Sequence, residues 1–363
     1  MISRRLVLAS GAAACVASVP IFAIGATRPV VGLSLPIKGV QATVAKELLS
    51  GYSAALEGVA ELRVLDDESV VAKTTKIVDA FASDSSVIAT TGIVGTPHAK
   101  EAIPVARAGN LPVVGIRSGA GELRDGSPNV FHLRASYEEE INKVMEMASL
   151  YRVIGVLYSD DAFGKGALAH AEKVAAAKGC VIGAQIAVER NGSNVKQKAA
   201  ELALRKDRLG AILLALIQVP ALNATKELRE SHNFVMPIFG MSFIATSTFA
   251  ASTDPAYDGI ALASPFPLAR TAIEEMAASF RAKMVEAKTE NLIASPTAFE
   301  AYFYGSVLAD AIVRGGPTRA KVREYLSRPA QLSVKEVPIK FDQIRVGYRY
   351  LNILRKAGPI LRA

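Results

Sequence analysis

Short β-branched runs alternate with longer helical stretches along most of this chain, and that rhythm limits its fold more than any other feature. Val30-Val31-Gly32-Leu33-Ser34-Leu35 reads as a strand and 43–56 as a helix; 62–65 and 71–82 repeat the pair. Strands at 87–90 and 112–115 follow, with a helix at 99–108 between them. Runs this short and apolar are strands covered on both faces, the habit of parallel sheets. The spacing predicts a parallel sheet with helices on both sides.

A second series begins after Arg134-Ala135-Ser136. Strands at 153–158, 181–188, 211–216, 235–239 and 259–262 alternate with helices at 163–178, 195–205 and 220–230. The tail holds two amphipathic helices, 271–287 and 297–314, and two strand-like segments, 337–341 and 348–354. The pattern predicts an α/β chain of two doubly wound lobes in tandem. A length of 363 residues agrees, since it exceeds what one compact core organises. So does a chain that is 50% hydrophobic but only 6% aromatic, as Ala-rich helices on β-branched strands require.

Residues 1–26 read as an export leader: Arg4 and Arg5, an apolar stretch from Leu6 to Ile24, then small residues at Ala23-Ile24-Gly25-Ala26 for cleavage. Ser10, Gly11 and Pro20 interrupt the stretch and no stop-transfer pattern follows, which argues against a permanent anchor. Ser3-Arg4-Arg5-Leu6-Val7-Leu8 is similar to a twin-arginine signal, and an ordinary secretory signal with two arginines fits equally. Ala12-Ala13-Ala14-Cys15 lacks the Leu of a lipoprotein box, so a lipid anchor is not expected. Without the leader Cys180 is the only cysteine, which rules out an internal disulfide and leaves it a small core residue.

The net charge of +8 comes from Lys and Arg interspersed with Asp and Glu. No basic run interleaves with aromatics, so nucleic acid is not an expected partner; a solvated basic surface mildly favours anions. Catalytic signatures are missing as well. His98, His132, His170 and His232 are scattered without zinc spacing, and no Gly-x-Ser-x-Gly elbow, Walker loop or dinucleotide fingerprint occurs. Asp66-Asp67-Glu68 reads as a solvated turn; neither metal nor cofactor is expected.

Ligands of open α/β sheets bind at the carboxyl ends of strands, where connections diverge. The loops to inspect are therefore 92–97, 115–121, 159–164, 216–219 and 240–243. At these loops the sequence resembles the periplasmic substrate-binding proteins of ABC importers of the branched-chain amino acid type. Leu65-Asp66-Asp67-Glu68-Ser69 is similar to the family's acidic turn, Gly92-Ile93-Val94-Gly95-Thr96 to its Gly-rich ligand loop, and Gly119-Ala120-Gly121-Glu122-Leu123-Arg124 to the segment after its fourth strand. Gly126-Ser127-Pro128-Asn129-Val130-Phe131 resembles its approach to the lobe-crossing strand, and Tyr158-Ser159-Asp160-Asp161-Ala162-Phe163-Gly164-Lys165-Gly166 is the most specific piece. Phe299-Glu300-Ala301-Tyr302 is similar to the start of its long C-terminal helix.

The resemblance implies two Rossmann-like lobes joined by three crossings, the type I periplasmic-binding fold. The crossings are expected at Ala135-Ser136, Ser264-Pro265 and near Pro329. Lobe one would then hold 27–135 and 266–328, and lobe two 136–265 and 329–363. It also implies a periplasmic, monomeric, non-enzymatic protein that carries a small carboxylate or amino acid to an inner-membrane ABC permease. A periplasmic sensing component that signals through a membrane receptor is the alternative. A sugar-responsive repressor of related fold would carry a DNA-binding module where the leader stands.

The residues themselves suggest the chemistry. Gly95 and Thr96, just before Pro97 at a helix start, place backbone N–H groups and a hydroxyl where an anion can be held; Thr96 equally suits capping. Ser118 and Gly119 occupy the position where the family presents donors to the same carboxylate. Arg117 could add a bidentate ion pair or face solvent. Phe163 aligns with an aromatic wall of the family and equally suits core packing. Gln218 and Ser242 would come from lobe two, or lie in solvated loops. Amino-acid binders of the family place an acid near Ser242 to pair the ligand's ammonium. Neither 240–243 nor 216–219 carries one, though Asp160 or Asp161 could substitute if they do not simply cap the following helix. The expected ligand is a small carboxylate without an α-ammonium.

Overall fold

A computed structural model describes residues 28–363; the expected leader, with Arg4, Arg5 and Cys15, lies outside them. The first sheet is laid down by β1 (Val30–Leu35), α1 (Ala42–Leu56), β2 (Glu61–Asp66), α2 (Val71–Ser83), β3 (Val87–Thr91), α3 (Thr96–Ala108), β4 (Val113–Val114) and β5 (Val130–Phe131). Its five strands run parallel in the order β2-β1-β3-β4-β5. Every residue of β1 is buried, as a strand with helices on both faces must be.

The chain then enters α4 (Tyr137–Ala148) through a capping box: Ser136 Oγ accepts from Glu139 N at 3.0 Å while Glu139 Oε2 accepts from Ser136 N at 2.6 Å. Next come β6 (Val153–Ser159), α5 (Ala162–Lys178), β7 (Val181–Val188), α6 (Val195–Ala203), β8 (Ala211–Ala215), α7 (Gln218–Lys226), β9 (Ile238–Gly240), α8 (Ser247–Ala251) and β10 (Ala261–Ser264). After these, α9 (Glu275–Glu286), α10 (Pro296–Asp310), α11 (Arg319–Ser327) and the hairpin β11 (Leu332–Val334) to β12 (Val337–Ile339) precede β13 (Asn352–Ala357) and β14 (Ile360–Arg362). The second sheet has the order β14-β13-β10-β9-β8-β6-β7, with β13 and β14 antiparallel. One apolar core runs through the first lobe and on between the second sheet and α4 and α5; another fills its opposite face under α6 and α7.

Two expectations need correction, and two helices went unforeseen. The third crossing was expected near Pro329. Instead Val346 bridges His132 beside the first sheet, and His132 N donates to Arg345 O at 2.8 Å. The chain therefore returns to the second sheet only between Gly347 and Asn352. The helix at 297–314 was expected to be amphipathic, yet α10 is buried at every residue from Pro296 to Leu308. It lies against α1 so closely that a Cβ on Gly51 would collide with Ala298 O and one on Gly305 would stand 2.7 Å from Ala55 Cβ. Finally, α4 and α11 were not anticipated at all. No helix among the described residues is long and apolar enough to cross a membrane.

Each sheet reverses its winding once, between β1 and β3 in the first and between β6 and β8 in the second. At such a point neighbouring connections leave in opposite directions and open a crevice at the carboxyl ends. The two crevices face each other.

Candidate ligand-binding cleft

On the first-lobe side the loops after β3 and β4 are locked together. Gly95 N donates to Arg117 O at 3.1 Å and Arg117 N to Ile93 O at 3.0 Å, in a bridge between Val94 and Arg117. Gly95 has φ 97° and ψ 152°, a conformation open to glycine alone. Thr96 opens α3 but does not cap it; its Oγ1 shares a 2.9 Å hydrogen bond with Ser118 Oγ, and both residues are fully buried. Gly119 lies under the Tyr137 ring, 2.7 Å from where a Cβ would stand, and its carbonyl accepts from Tyr137 N at 2.8 Å.

Arg117 does not face solvent: it is 1% exposed. Its Nε donates to Glu300 Oε2 at 3.2 Å and its Nη2 to Thr297 Oγ1 at 3.0 Å, with the guanidinium 4.5 Å above the Phe243 ring. Phe243 closes an aromatic triangle with Phe163 and Tyr137, whose centroids are 5.0 to 6.0 Å apart. Burial lifts the Tyr137 hydroxyl above the usual phenol range.

From the second lobe, Ser242 presents no free hydroxyl. Its N and Oγ both donate to Glu140 at 3.0 Å, and its Oγ also accepts from Arg134 Nη2. Arg134 Nη1 reaches Glu300 Oε1, which takes the Tyr304 hydroxyl as well. Gln218 is not a loop residue but the first of α7, 5% exposed, donating from Nε2 to Thr246 Oγ1 at 2.6 Å. Asp161 caps α5 by accepting from Gly164 N at 3.0 Å, while Asp160 is exposed and pairs with Lys165.

Thr96, Arg117, Ser118, Gly119, Phe163 and Ser242 therefore belong to one connected seam between the lobes. Gln218 joins it less directly, through Thr246 and the Ala245 carbonyl that accepts from Thr297 Oγ1. Sequence reasoning missed Arg134, Glu140 and Thr297, and read Glu300 only as part of a helix start. Their partners lie as far as 183 positions away, so no local pattern marks them. A further tie crosses the lobes where Glu47 on α1 accepts from Ser247 N at 2.9 Å and from Ser295 Oγ. Burial raises its carboxyl pKa, against the pull of those hydrogen bonds.

Arg117 Nη1, the Tyr137 hydroxyl, Ser159 Oγ and Gln218 Oε1 are buried with no partner among the described residues. At the mouth of the cleft a cavity of about 350 Å³ is walled by Gln41 and Ser69 from the first lobe and by Asp160, Arg190 and Ile217 from the second. A larger cavity, about 610 Å³, lies on the outer face between α1 and α9, beside the amino ends of β1 and β2 and away from the carboxyl ends. No group of three metal-ligating side chains occurs among the described residues. The cleft thus combines unpartnered polar groups, a buried aromatic triangle and a cavity shared by two lobes.

The fold and the cleft define a two-lobed binding protein of the type I periplasmic-binding class. The chain belongs to the periplasmic binding protein family, whose model matches residues 30–340. Its members are non-enzymes that bind small molecules and serve ABC transporters, and membership implies export to the periplasm. No curated protein matches the sequence. A substrate-binding periplasmic protein from Ralstonia solanacearum is 27% identical, with 92% of this chain and 99% of that one covered at a TM-score of 0.83. An ABC-transporter solute-binding protein from R. palustris, solved with benzoate, is 18% identical over 92% and 95% of the two chains (TM-score 0.82). A branched-chain amino acid binding protein from Streptococcus pneumoniae, solved with isoleucine, is 16% identical over 93% and 98% (TM-score 0.80).

Proposed function

We propose that this protein captures a small carboxylate without an α-ammonium group, closes its lobes over it and delivers it to an ABC importer of the inner membrane. The observation that carries this reading is the state of the acids in the seam. A buried ammonium needs a carboxylate oxygen that is not already taken. Both oxygens of Glu140 and both of Glu300 already accept from arginine, serine or tyrosine. Asp161 accepts from Gly164 N and from Arg190, while Asp160 and Glu189, which line the cavity at the mouth, are exposed and paired with Lys165 and the Ser193 hydroxyl. What the seam leaves unpaired is Arg117 Nη1, the Tyr137 and Ser159 hydroxyls and the neutral amide oxygen of Gln218, with no carboxylate oxygen among them.

The triangle of Tyr137, Phe163 and Phe243 suits an apolar or aromatic ligand body. Two solved relatives, from R. palustris and Rhodopseudomonas palustris BisB5, hold benzoate and 3,4-dihydroxybenzoate. Thr96, Ser118 and Gly119 are the residues we assign to the carboxylate, Phe163 to the body, and Gln218 to a polar substituent on it. Ser242 then orients Glu140 rather than touching the ligand. The family's service to ABC transporters supports delivery to a permease, and the leader would take either the general secretory or the twin-arginine route.

A thermal-shift comparison of benzoate and 4-methylpentanoate with leucine and isoleucine tests the ligand class. A carboxylate at about a hundred times its Kd should add roughly 2.7 kcal/mol of stability. A shift with the amino acids and none with the carboxylates would overturn the reading.

A further inference from the structure

The loop after β7 carries a group that the seam does not use. Arg190 Nη1 pairs with Asp161, the cap of α5. Its Nε and Nη2, the two donors along one edge of the guanidinium, are buried and have no partner among the described residues. That edge is the planar fork that receives two carboxylate oxygens at once. Nη2 reaches across from the second lobe to the first and stands 2.6 Å from where a Cβ on Gly95 would be, so any side chain there would push the guanidinium off its place.

The surface it meets is the N-terminus of α3, a 13-residue helix whose first N–H groups point out of the helix. His98, in that first turn, is 2% exposed, and neither of its ring nitrogens has a partner among the described residues. Its Nδ1 lies 3.6 Å from the same Cβ position on Gly95. Burial first, and the charge of Arg190 second, hold His98 below the usual imidazole pKa, so it is neutral at pH 7 and has one N–H to give. Arg190 also walls the cavity at the cleft mouth, opposite Gln41 and Ser69.

We propose that Arg190 is the anion receptor of the second lobe, its Nε–Nη2 edge taking the ligand's carboxylate over the N-terminus of α3 at Gly95, Thr96 and His98. The ligand's charge is then gripped from both lobes, and binding it draws them together. This rests on the reading of the cleft as a carboxylate site. Asp161 fixes the guanidinium plane and Gly95 keeps the space beneath it open. A neutral amide of the same shape gains nothing from the fork.

The test measures Kd by calorimetry for benzoate, 4-methylpentanoate and benzamide on the wild type, R190Q and R190K, together with each unliganded melting temperature. Wild type should prefer the carboxylates to benzamide, and R190Q should lose about tenfold or more in carboxylate affinity. R190K, which keeps the charge without the fork, should fall between. X-ray scattering should show benzoate contracting the wild type and not R190Q. If Arg190 only steadies α5 through Asp161, both variants will melt lower and bind the carboxylates as tightly as wild type, which overturns the proposal and leaves the carboxylate reading standing. A wild type that binds neither carboxylate overturns both.

Discussion

Arg134 Nη1 donates to Glu300 Oε1 at 2.8 Å although 166 positions separate the two residues, and neither side chain is more than 4% exposed. Arg134 ends the first lobe's outward run and Glu300 lies in the first half of α10, which the chain reaches only after laying down β6 to β10 of the second lobe. Around this pair Arg117 and Glu140 add one charge of each sign, so the seam is balanced without a ligand. Burial works against the charge on Arg134, and the neighbouring Glu300 and Glu140 more than offset it, holding the guanidinium well above its usual pKa.

Glu300→Gln should therefore be costly. It leaves Arg117 and Arg134 with one carboxylate between them in a dry environment, and removing one member of a buried pair typically costs about 3–5 kcal/mol. Urea unfolding of the mature chain measures it. A loss below about 1 kcal/mol would mean that water or a rearranged Glu140 reaches the arginines.

Thr96→Val separates binding from folding. The swap keeps the volume and removes the hydroxyl that meets Ser118. Carboxylate affinity should fall about tenfold, the equivalent of roughly 1.4 kcal/mol. Stability should change less, because Ser118 Oγ still accepts from Ala120 N at 3.3 Å. Unchanged affinity by calorimetry would remove Thr96 from the site.

Much of the fold could be read locally. The runs at Val30–Leu35 and Val181–Val188 are strands with those bounds, the first an apolar run buried at every residue, the second an edge strand whose Ala184, Ile186 and Val188 turn inward in alternation. The helix α5 begins where Asp161 caps it, as an acid before a helix start suggests. The misses share a physical cause, which is that their determinants are not local. The third crossing depends on Val346 finding His132, and the full burial of α10 depends on α1 and the hinge. Two misses were avoidable. Ser136 and Glu139 spell a capping box, and the rule that ligands gather at carboxyl ends applies to β7 as it does to β6, which would have led to Arg190.

The imidazole of His132 makes stability depend on pH. Burial, and then the charge of Arg124, push it down to about 4, while Nε2 donates to Leu123 O at 3.0 Å. Asp125 and Asp342 pull the other way, more weakly. In the unfolded chain the ring titrates near 6.5, so between those values the unfolded state binds more protons than the native one. The contribution is whole above pH 6.5, declines as pH falls through that window and levels off below 4, for a total of about 3 kcal/mol. Urea unfolding of wild type and His132→Gln from pH 7.5 to 4 isolates it from the carboxylates, which both proteins share. The stability gap between them should shift by about 3 kcal/mol toward the variant on acidification; a constant gap would refute the assignment.

Arg319, at the start of the unanticipated α11, places a guanidinium under the first lobe with all five of its N–H donors engaged. Nε donates to Val87 O, Nη1 to Ala82 O and Gly109 O, each at 2.8 Å, and Nη2 to Phe81 O at 2.9 Å and Asp84 O at 2.6 Å. These carbonyls close α2, start β3 and close α3, three ends that the helix and sheet ladders cannot satisfy. A cation at the negative end of two helices is favourable, and only a planar five-donor head reaches every acceptor. Lysine has three donors and one centre, so Arg319→Lys withdraws a donor from at least two carbonyls, though Asp84 O keeps Val87 N in reserve, and should cost about 1–3 kcal/mol. These ends lie at the edge of the first sheet opposite the cleft, so the variant should bind ligand with wild-type Kd wherever it is folded. Urea unfolding and calorimetry on the same preparation decide it: a loss under 0.5 kcal/mol, or a weakened Kd at full folding, would refute this account of the residue.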